Sequence, residues 1–218
     1  DGKKLFLYSE NKINYKAFSG LPPVEGNQTH LRYHPIRSEW VAYSTSRQNR
    51  TFLPNAMECP LCPMLQEEKA SDVPVDHYEV AIFTNRFSSL RLEEAHVPQL
   101  EIPTQPAMGT CDVISYSPNH TDQFSELSQQ RIELILKAVA HRTKELFNDS
   151  HINYILPFEN KGKEIGVTLE HPHGQIYSFG HIPASIKRQA ERQIQNPLSV
   201  TIAQIPKELI LYENSSGI

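Results

Sequence analysis

The sequence predicts an α+β fold, in which helices cover one side of an antiparallel sheet. Short segments with alternating apolar residues recur along the chain, whereas only one long segment carries apolar residues at helical spacing. Among 218 residues, 39% are hydrophobic and 21% are charged, which is typical of a globular protein. A chain of this length can bury a sizeable core in one large domain or two small ones.

Five segments are predicted to be strands: residues 40–44, 78–84, 112–117, 152–158 and 175–179. In the fourth segment, Ile152, Tyr154, Leu156 and Phe158 alternate with their neighbours and fall on one face, as in a half-buried strand. Residues 1–28 are expected to be a loosely structured lead-in to a domain that covers residues 29–218.

A long helix is predicted to begin after Ser128, which is a suitable N-cap residue. The apolar stripe of this helix comprises Ile132, Ile135, Leu136, Val139 and Leu146. Its polar face is expected to hold Lys137, Arg142 and Lys144. A second helix is predicted over residues 185–195 and has little apolar content, so we expect it at the surface.

The net charge of −4 argues against a nucleic-acid-binding protein, because such proteins need a surplus of Lys and Arg to displace counterions from phosphates. No segment approaches the roughly 20 consecutive apolar residues of a membrane helix, so no membrane association is expected. The N-terminal sequence DGKKLFLY lacks the pattern of a signal peptide. The expected location is therefore the cytoplasm.

Cys59 and Cys62 lie in a turn with the spacing that lets two thiolates bind one tetrahedral zinc ion. Two further ligands are required, and local context favours His120 and His171. The alternative is that the two cysteines are simply buried thiols. Cys111 has no partner at such a spacing and is expected in the core.

A second motif begins with Asn160-Lys161-Gly162 and continues as GVTLEHPHGQ over residues 166–175. In an extended segment His171, His173 and Gln175 project to the same face, where they would form a reaction centre if a phosphate binds there. A neutral imidazole can attack phosphorus as a nucleophile. Glycines allow backbone N–H groups to approach a phosphate, and the Gln175 amide can donate to one of its oxygens.

The HPHGQ motif resembles the signature of galactose-1-phosphate uridylyltransferases, a branch of the histidine-triad superfamily. Histidine-triad hydrolases have histidine at all three alternating positions, whereas this branch has glutamine at the third, which is Gln175 here. The resemblance extends over residues 31–195 and implies a histidine-triad-like antiparallel sheet with helices packed on one side.

By position, the resemblance implies a structural zinc ion, a catalytic nucleophile and a set of substrate-binding residues. The implied zinc ligands are Cys59, Cys62, His120 and His171. The implied catalytic residues are His173, which becomes uridylylated, and Gln175. The implied substrate-binding residues are Arg47, Arg50, Asn85, Arg86, Asn160, Gly166, Val167, Thr168 and Gln175. Arg86 stands where many members have Asp, and Thr168 where many have Ser.

The activity implied is transfer of UMP between UDP-glucose and galactose 1-phosphate by double displacement, as in the Leloir pathway of galactose metabolism. The resemblance also implies a homodimer. Family enzymes continue into a C-terminal half, which this chain is expected to lack because it stops at Ile218.

Three alternatives remain open at the level of sequence. A sister nucleotide-sugar phosphorylase or adenylyltransferase would use the same histidine with another nucleotide or acceptor. A zinc-stapled interaction module without catalysis would need a basic surface or an exposed aromatic patch, and the negative net charge disfavours it. A metallohydrolase is disfavoured because the sequence has no HExxH helix.

Overall fold

The structure of the chain is a computed structural model. It describes residues 3–22, 24, 27–45, 58–65, 71–93 and 97–210. Arg47 and Arg50 lie outside the described residues.

The strands form two antiparallel sheets. The larger sheet has the order β1-β4-β6-β8-β7, with β1 at Leu5–Tyr8, β4 at Val80–Thr84, β6 at Gly109–Ser115, β8 at His173–Phe179 and β7 at Tyr154–Phe158. The smaller sheet has the order β3-β2-β5, with β3 at Glu39–Ser44, β2 at Thr29–His34 and β5 at Thr104–Pro106. The five predicted strands are confirmed as β3, β4, β6, β7 and β8.

Three α-helices are described: α1 at Gln129–Leu146, α2 at Ala184–Gln195 and α3 at Leu198–Ala203. Short 3₁₀ turns lie at Phe124–Glu126, Lys163–Ile165 and Lys207–Leu209. Ser128 caps α1 as predicted, since its hydroxyl accepts a hydrogen bond from the backbone N–H of Arg131 at 3.2 Å. A cap of this kind contributes about 1 kcal/mol to stability.

Helix α1 packs on one face of the larger sheet. Its buried apolar residues Leu134, Ile135, Ala138 and Leu146 join strand residues such as Ile114 in one core cluster. Burying each large aliphatic side chain in such a core contributes about 1.5–3 kcal/mol. The fold class predicted from the sequence, a sheet with its main helix on one side, is thereby confirmed.

The predicted faces of α1 were wrong at two positions. Leu136 is 61% exposed, and Leu134 is buried in its place. Arg142, which was expected on the polar face, is only 4% exposed because its Nε donates to a carboxylate oxygen of Asp112 at 2.7 Å on the adjacent sheet. The ion pair, rather than an apolar side chain, fills this part of the helix–sheet contact.

The opposite face of the larger sheet packs on the loops that precede β4. Cys59, Leu61, Val75, Tyr78 and Phe83 belong to this second core cluster. A third cluster contains Cys111, confirmed as a core residue, together with residues such as Leu31 of the smaller sheet. The candidate site lies on this face, away from α1.

The expectation of a loosely structured lead-in was wrong for Leu5–Tyr8. This segment is strand β1, and it pairs with β4 from Leu5 opposite Phe83 to Tyr8 opposite Val80. An apolar four-residue segment at an edge gains its order from a partner far along the chain, which local sequence does not reveal.

Residues 182–218 form a second compact unit, of which residues 182–210 are described. It contains α2, which confirms the helix predicted there, and α3. Neither helix has a buried residue. Among the described residues, no helix combines the length and the apolar character needed to cross a bilayer.

Candidate metal centre and active site

The side chains of Cys59, Cys62, His120 and His171 converge on one point, with all ligand atoms within 4.8 Å of one another. The Sγ atom of Cys62 lies 3.6 Å from Nδ1 of His120 and 3.5 Å from Nδ1 of His171. Zinc–sulfur and zinc–nitrogen bonds of normal length at a tetrahedral angle place sulfur and nitrogen about 3.6 Å apart. The cluster therefore has the dimensions of a tetrahedral metal site.

Three separate segments supply these ligands. Cys59 and Cys62 come from the turn before β4, His120 follows β6, and His171 precedes β8. Strands β6 and β8 are adjacent and antiparallel with Ser115 opposite His173, so the end of one and the start of the other meet at one edge of the sheet.

The electrostatic environment favours the thiolate form of Cys59. The neighbouring Cys62 side chain lowers the pKa of the Cys59 thiol, and the adjacent His171 side chain lowers it further, against the opposing effect of burial. The thiolate is the form of cysteine that binds a metal ion. The charge state and the geometry of the cluster thus both suit a cation.

A backbone carbonyl orients the ring of His171. Its Nε2–H donates to the carbonyl oxygen of Ser117 at 2.7 Å. This bond places the ring proton on Nε2 and leaves the lone pair on Nδ1, the atom that faces Cys62. Ligating histidines are commonly held in this way by a hydrogen bond from their second nitrogen.

His173 is oriented in the same manner, but with its nitrogens reversed. Its Nδ1–H donates to the carbonyl oxygen of His171 at 2.7 Å, so the lone pair of the neutral ring lies on Nε2.

The prediction that His171, His173 and Gln175 share one face was wrong for His171. Strand β8 begins at His173, and the buried ring of His171 points into the metal cluster instead.

His173 and Gln175 lie on a cleft of about 540 Å³ on the face of the sheet opposite α1. The cleft also contains every substrate-binding residue predicted from the sequence that lies within the described part of the chain. These are Asn85, Arg86, Asn160, Gly166, Val167, Thr168 and Gln175.

Two glycines shape the loop at one wall of the cleft. Gly162 and Gly166 have φ angles of 107° and 79°, which side-chain-bearing residues rarely adopt. The backbone N–H of Val167 donates to the carbonyl of Gly162 at 3.3 Å and closes the loop. Residues 166–168 of this loop line the cleft.

Gly174 has a different role from the loop glycines. It lies on the α1 side of β8, where a Cβ atom would collide with the Tyr116 hydroxyl and lie 3.0 Å from the carbonyl oxygen of Phe158. The glycine of the HPHGQ motif is therefore required by packing on the face away from the cleft.

The far end of the cleft contains Asn85 and Arg86. The backbone N–H of Phe87 donates to Oδ1 of Asn85 at 2.9 Å, which orients the amide and leaves its NH₂ group as a donor. Nε of Arg86 lies 3.8 Å from Oδ1 of Asp72, and about one-fifth of the Arg86 side chain is exposed. Both residues thus present hydrogen-bond donors to this part of the cleft.

His173 also borders a second cavity of about 290 Å³, which is lined in part by Glu159 and Lys161. Burial raises the pKa of Glu159, and the nearby Lys161 opposes this shift. Lys161 donates to the side chain of Gln123 at 2.7 Å.

Sequence reasoning missed two residues at the metal centre. The hydroxyls of Tyr78 and Ser115 lie 3.3 and 3.1 Å from Nε2 of His171. Tyr78 was placed only as part of a strand, and the alternation of β6 is the one signal that could have placed Ser115 on the cleft face with Val113.

The chain is similar to curated proteins and to solved structures. A galactose-1-phosphate uridylyltransferase of Thermotoga maritima is 34% identical over 160 residues, which are 72% of this chain and 48% of the relative. An ADP-glucose phosphorylase of Arabidopsis thaliana is 28% identical over 188 residues, which are 75% of this chain and 53% of the relative. A solved uridylyltransferase structure superposes with a TM-score of 0.69 at 28% identity, covering 85% of this chain and 60% of that one.

The chain spans about half the length of the curated relatives it matches. The family model described as "Galactose-1-phosphate uridyl transferase, N-terminal domain" matches residues 23–183, most of the chain and all the predicted site residues. The chain therefore belongs to the galactose-1-phosphate uridyl transferase family.

Proposed function

We propose that this chain carries the catalytic histidine of a nucleotidyltransferase that moves UMP between UDP-glucose and galactose 1-phosphate. The main support is the hydrogen bond from Nδ1–H of His173 to the carbonyl of His171, on the wall of the 540 Å³ cleft. It leaves the nucleophilic lone pair on Nε2 of His173.

The reaction has two displacements at one phosphorus atom. Nε2 of His173 forms a bond to the α-phosphorus of UDP-glucose, and the bond to the bridging oxygen breaks, so that glucose 1-phosphate leaves with the electron pair. A phosphate oxygen of galactose 1-phosphate then attacks the same phosphorus, and the P–N bond breaks to release UDP-galactose. Nδ1–H stays bonded to the His171 carbonyl, which stabilises the charge on the uridylylated ring.

The other cleft residues are proposed to hold the nucleotide. Gln175 and Asn160 would donate to phosphate oxygens, with residues 166–168 forming the loop around the phosphates. Arg47 and Arg50 remain predicted phosphate-side residues.

Asn85 and Arg86 are proposed to contact the base end. His173 of β8 lies opposite Ser115 of β6. On the other side of β6, the backbone N–H of Asn85 donates to the carbonyl oxygen of Cys111, which lies four residues before Ser115. Strand geometry then separates His173 from Asn85 by about 17 Å between backbones, which suits a nucleotide with its phosphate at one end and its base at the other.

Zinc is the proposed metal, with a structural role. Two thiolates and two imidazoles in tetrahedral geometry are typical ligands of zinc. Four protein ligands leave no open coordination position, so the ion would not contact the substrate. Its contribution would be to hold Cys59, Cys62, His120 and His171 in place beside His173.

The similarity to ADP-glucose phosphorylase supports a second candidate, transfer of AMP by the same histidine. The donors of Asn85 and Arg86 favour a base edge that presents keto oxygens, as uracil does. We therefore place the uridine nucleotide first.

Intact-mass spectrometry after incubation with UDP-glucose, without an acceptor, tests the proposal. We expect a mass gain of one UMP that is lost again on addition of galactose 1-phosphate. His173→Ala should abolish the adduct, whereas His77→Ala, which removes an exposed histidine outside the cleft, should leave it unchanged. An adduct that persists in His173→Ala, or a gain of AMP from ADP-glucose only, would overturn the proposal.

The remaining assignments are also proposals. The family resemblance supports a homodimer. The catalytic domain over residues 29–218 remains a prediction, since the family model matches residues 23–183 and the first compact unit ends at His181. The thiolate ligands need a reducing compartment, which supports a cytoplasmic location.

A further inference from the structure

The hydroxyl of Tyr78 lies at the centre of a buried polar cluster. It is 2.6 Å from the carbonyl oxygen of Leu61, 2.9 Å from Oγ of Ser115, 3.0 Å from the carbonyl oxygen of Ser117 and 3.3 Å from Nε2 of His171. Tyr78 itself is fully buried. Its single proton is donated to the nearest acceptor, the Leu61 carbonyl, and its lone pairs face the Ser115 hydroxyl.

These partners belong to all three segments that supply the metal ligands. Leu61 lies between the two cysteines, Ser117 lies in the segment that leads to His120, and His171 is itself a ligand. Ser117 and His171 are already joined by the hydrogen bond at 2.7 Å. One hydroxyl therefore touches every backbone segment of the metal centre.

We infer that Tyr78 is a positioning residue, whose hydroxyl fixes the cysteine turn against His171 and thereby fixes the carbonyl that orients His173. This inference rests on the proposed role of His173. The coupling runs from the Tyr78 hydroxyl to the Leu61 carbonyl and the His171 ring, and from the His171 carbonyl to Nδ1 of His173.

Packing alone does not explain a tyrosine here. The ring belongs to an apolar cluster with Val73, Val75 and Phe83, which phenylalanine would fill equally well. A buried hydroxyl is costly unless it is hydrogen-bonded, and this one has four polar neighbours that come from chain segments far apart. Tyr78→Phe thus removes the polar links while it keeps the apolar contacts.

The test compares zinc-loaded Tyr78→Phe with the wild-type chain in two measurements. The first is the rate of zinc transfer to a chromogenic chelator, together with the visible absorption spectrum of the cobalt-substituted protein. The second is the rate of UMP adduct formation as a function of UDP-glucose concentration. Removing a group that forms a hydrogen bond to a metal-ligating side chain typically lowers metal affinity or activity 10–100-fold.

We expect Tyr78→Phe to release zinc about 10-fold faster or more and to change the cobalt spectrum. The maximal rate of adduct formation should fall by a similar factor, with the half-saturating UDP-glucose concentration unchanged, because the hydroxyl does not line the cleft. Tyr8→Phe is the matched control, since its hydroxyl is 3.0 Å from Nδ1 of His141 on α1, away from the metal centre. It should match the wild type in every measurement.

Wild-type zinc release and an unchanged cobalt spectrum in Tyr78→Phe would overturn the inference. If the wild type itself forms no adduct, the proposed function fails, while zinc release and the cobalt spectrum still decide the role of Tyr78. Should Tyr78→Phe fail to fold, Ser115→Ala serves instead, because Ser115 bridges Tyr78 and His171 at 2.9 and 3.1 Å. The same acceleration of zinc release is expected from it, and wild-type release from Ser115→Ala would count against the inference.

Discussion

His171 uses three polar atoms for three purposes. Its Nδ1 faces Cys62 in the metal cluster, its Nε2–H donates to Ser117, and its backbone carbonyl accepts from His173. A single residue thus connects the metal centre to the proposed nucleophile. Any change that rotates the peptide after His171 would move the hydrogen-bond acceptor of His173.

The substitution Gly174→Ala tests the packing role of the motif glycine. The added methyl group would collide with the Tyr116 hydroxyl, and overpacking of this kind costs about 1–3 kcal/mol. We expect a loss of that size in the free energy of unfolding, measured by urea denaturation.

Gly20→Ala is the control for this prediction, since its Cβ meets only the ring of Pro74 at 3.3 Å. Its free energy of unfolding should change by less than about 0.5 kcal/mol. Equal stability of Gly174→Ala and the wild type would mean that Gly174 is not required by packing.

At the site, the sequence revealed the residues that belong to short motifs. The Cys59 and Cys62 spacing and the alternation of His173 and Gln175 are local patterns, and local context also favoured His120 as a ligand. The family resemblance added Asn85. Tyr78 could not be found in this way. Its polar partners lie 17 to 93 residues away, and nothing in the sequence around it distinguishes a buried hydroxyl from an ordinary strand residue.

Among the elements, α1 differs from a simple amphipathic helix because it buries a cation. Arg142 pairs with Asp112 of β6 at 2.7 Å and with Glu145 at 3.0 Å, and its guanidinium lies over the ring of Phe6. Desolvation by burial raises the pKa of Asp112, while Arg142 opposes the shift. Each charge is therefore tolerated in the core only because of its partner.

The substitution Arg142→Met should strongly destabilise the fold. It leaves the carboxylate of Asp112 buried without its cation, which typically costs about 3–5 kcal/mol. Urea denaturation measures the loss, and the double variant Arg142→Met with Asp112→Leu should recover most of it.

Lys137→Met is the control on the same helix, because Lys137 is exposed. Its effect should stay within about 0.5 kcal/mol. If Arg142→Met changed stability no more than this control, the buried ion pair would contribute nothing to the packing of α1.

Apart from α2, the elements predicted from sequence were those with a regular apolar period. Strand β7 and helix α1 were both predicted close to their observed bounds. The predicted buried face of β7 was wrong, because Ile155 packs in the core with α1 whereas Leu156 is 39% exposed. Strands β1, β2 and β5 were not predicted as strands. β2 carries His30, Arg32 and His34 among its residues, and its order depends on pairing with β3 and β5 rather than on local propensity.

At the scale of the whole molecule, the metal cluster brings into contact parts of the chain that lie more than 100 residues apart in sequence. The cysteine turn, His120 and His171 meet at one edge of the larger sheet. An ion bound only in the folded state stabilises that state by mass action. Its removal should therefore lower the stability of the fold as well as any activity.

Chelation should lower the melting temperature of the zinc-loaded chain. Free zinc at about 1,000 times its Kd contributes about 4 kcal/mol. For a chain of this size about 2–4 °C correspond to each kcal/mol, so we expect a fall of about 8–16 °C by calorimetry. Added zinc should restore the transition.

Two cysteine variants make this prediction specific. Cys59→Ala should lack bound zinc and respond to neither chelator nor zinc, whereas Cys111→Ala, which removes a buried thiol outside the cluster, should keep the full response. Full zinc content in Cys59→Ala would show that the cluster is not the binding site.

The residue-for-residue pairing of β8 with β6, from His173 opposite Ser115 to Phe179 opposite Gly109, constrains how the protein can be engineered. Because side chains on a strand alternate between faces, deleting or inserting one residue between His173 and Gln175 would turn the imidazole into the apolar layer beneath α1. Libraries that aim at new sugar or nucleotide donors should therefore diversify the loops around the cleft and leave the length of this short segment untouched.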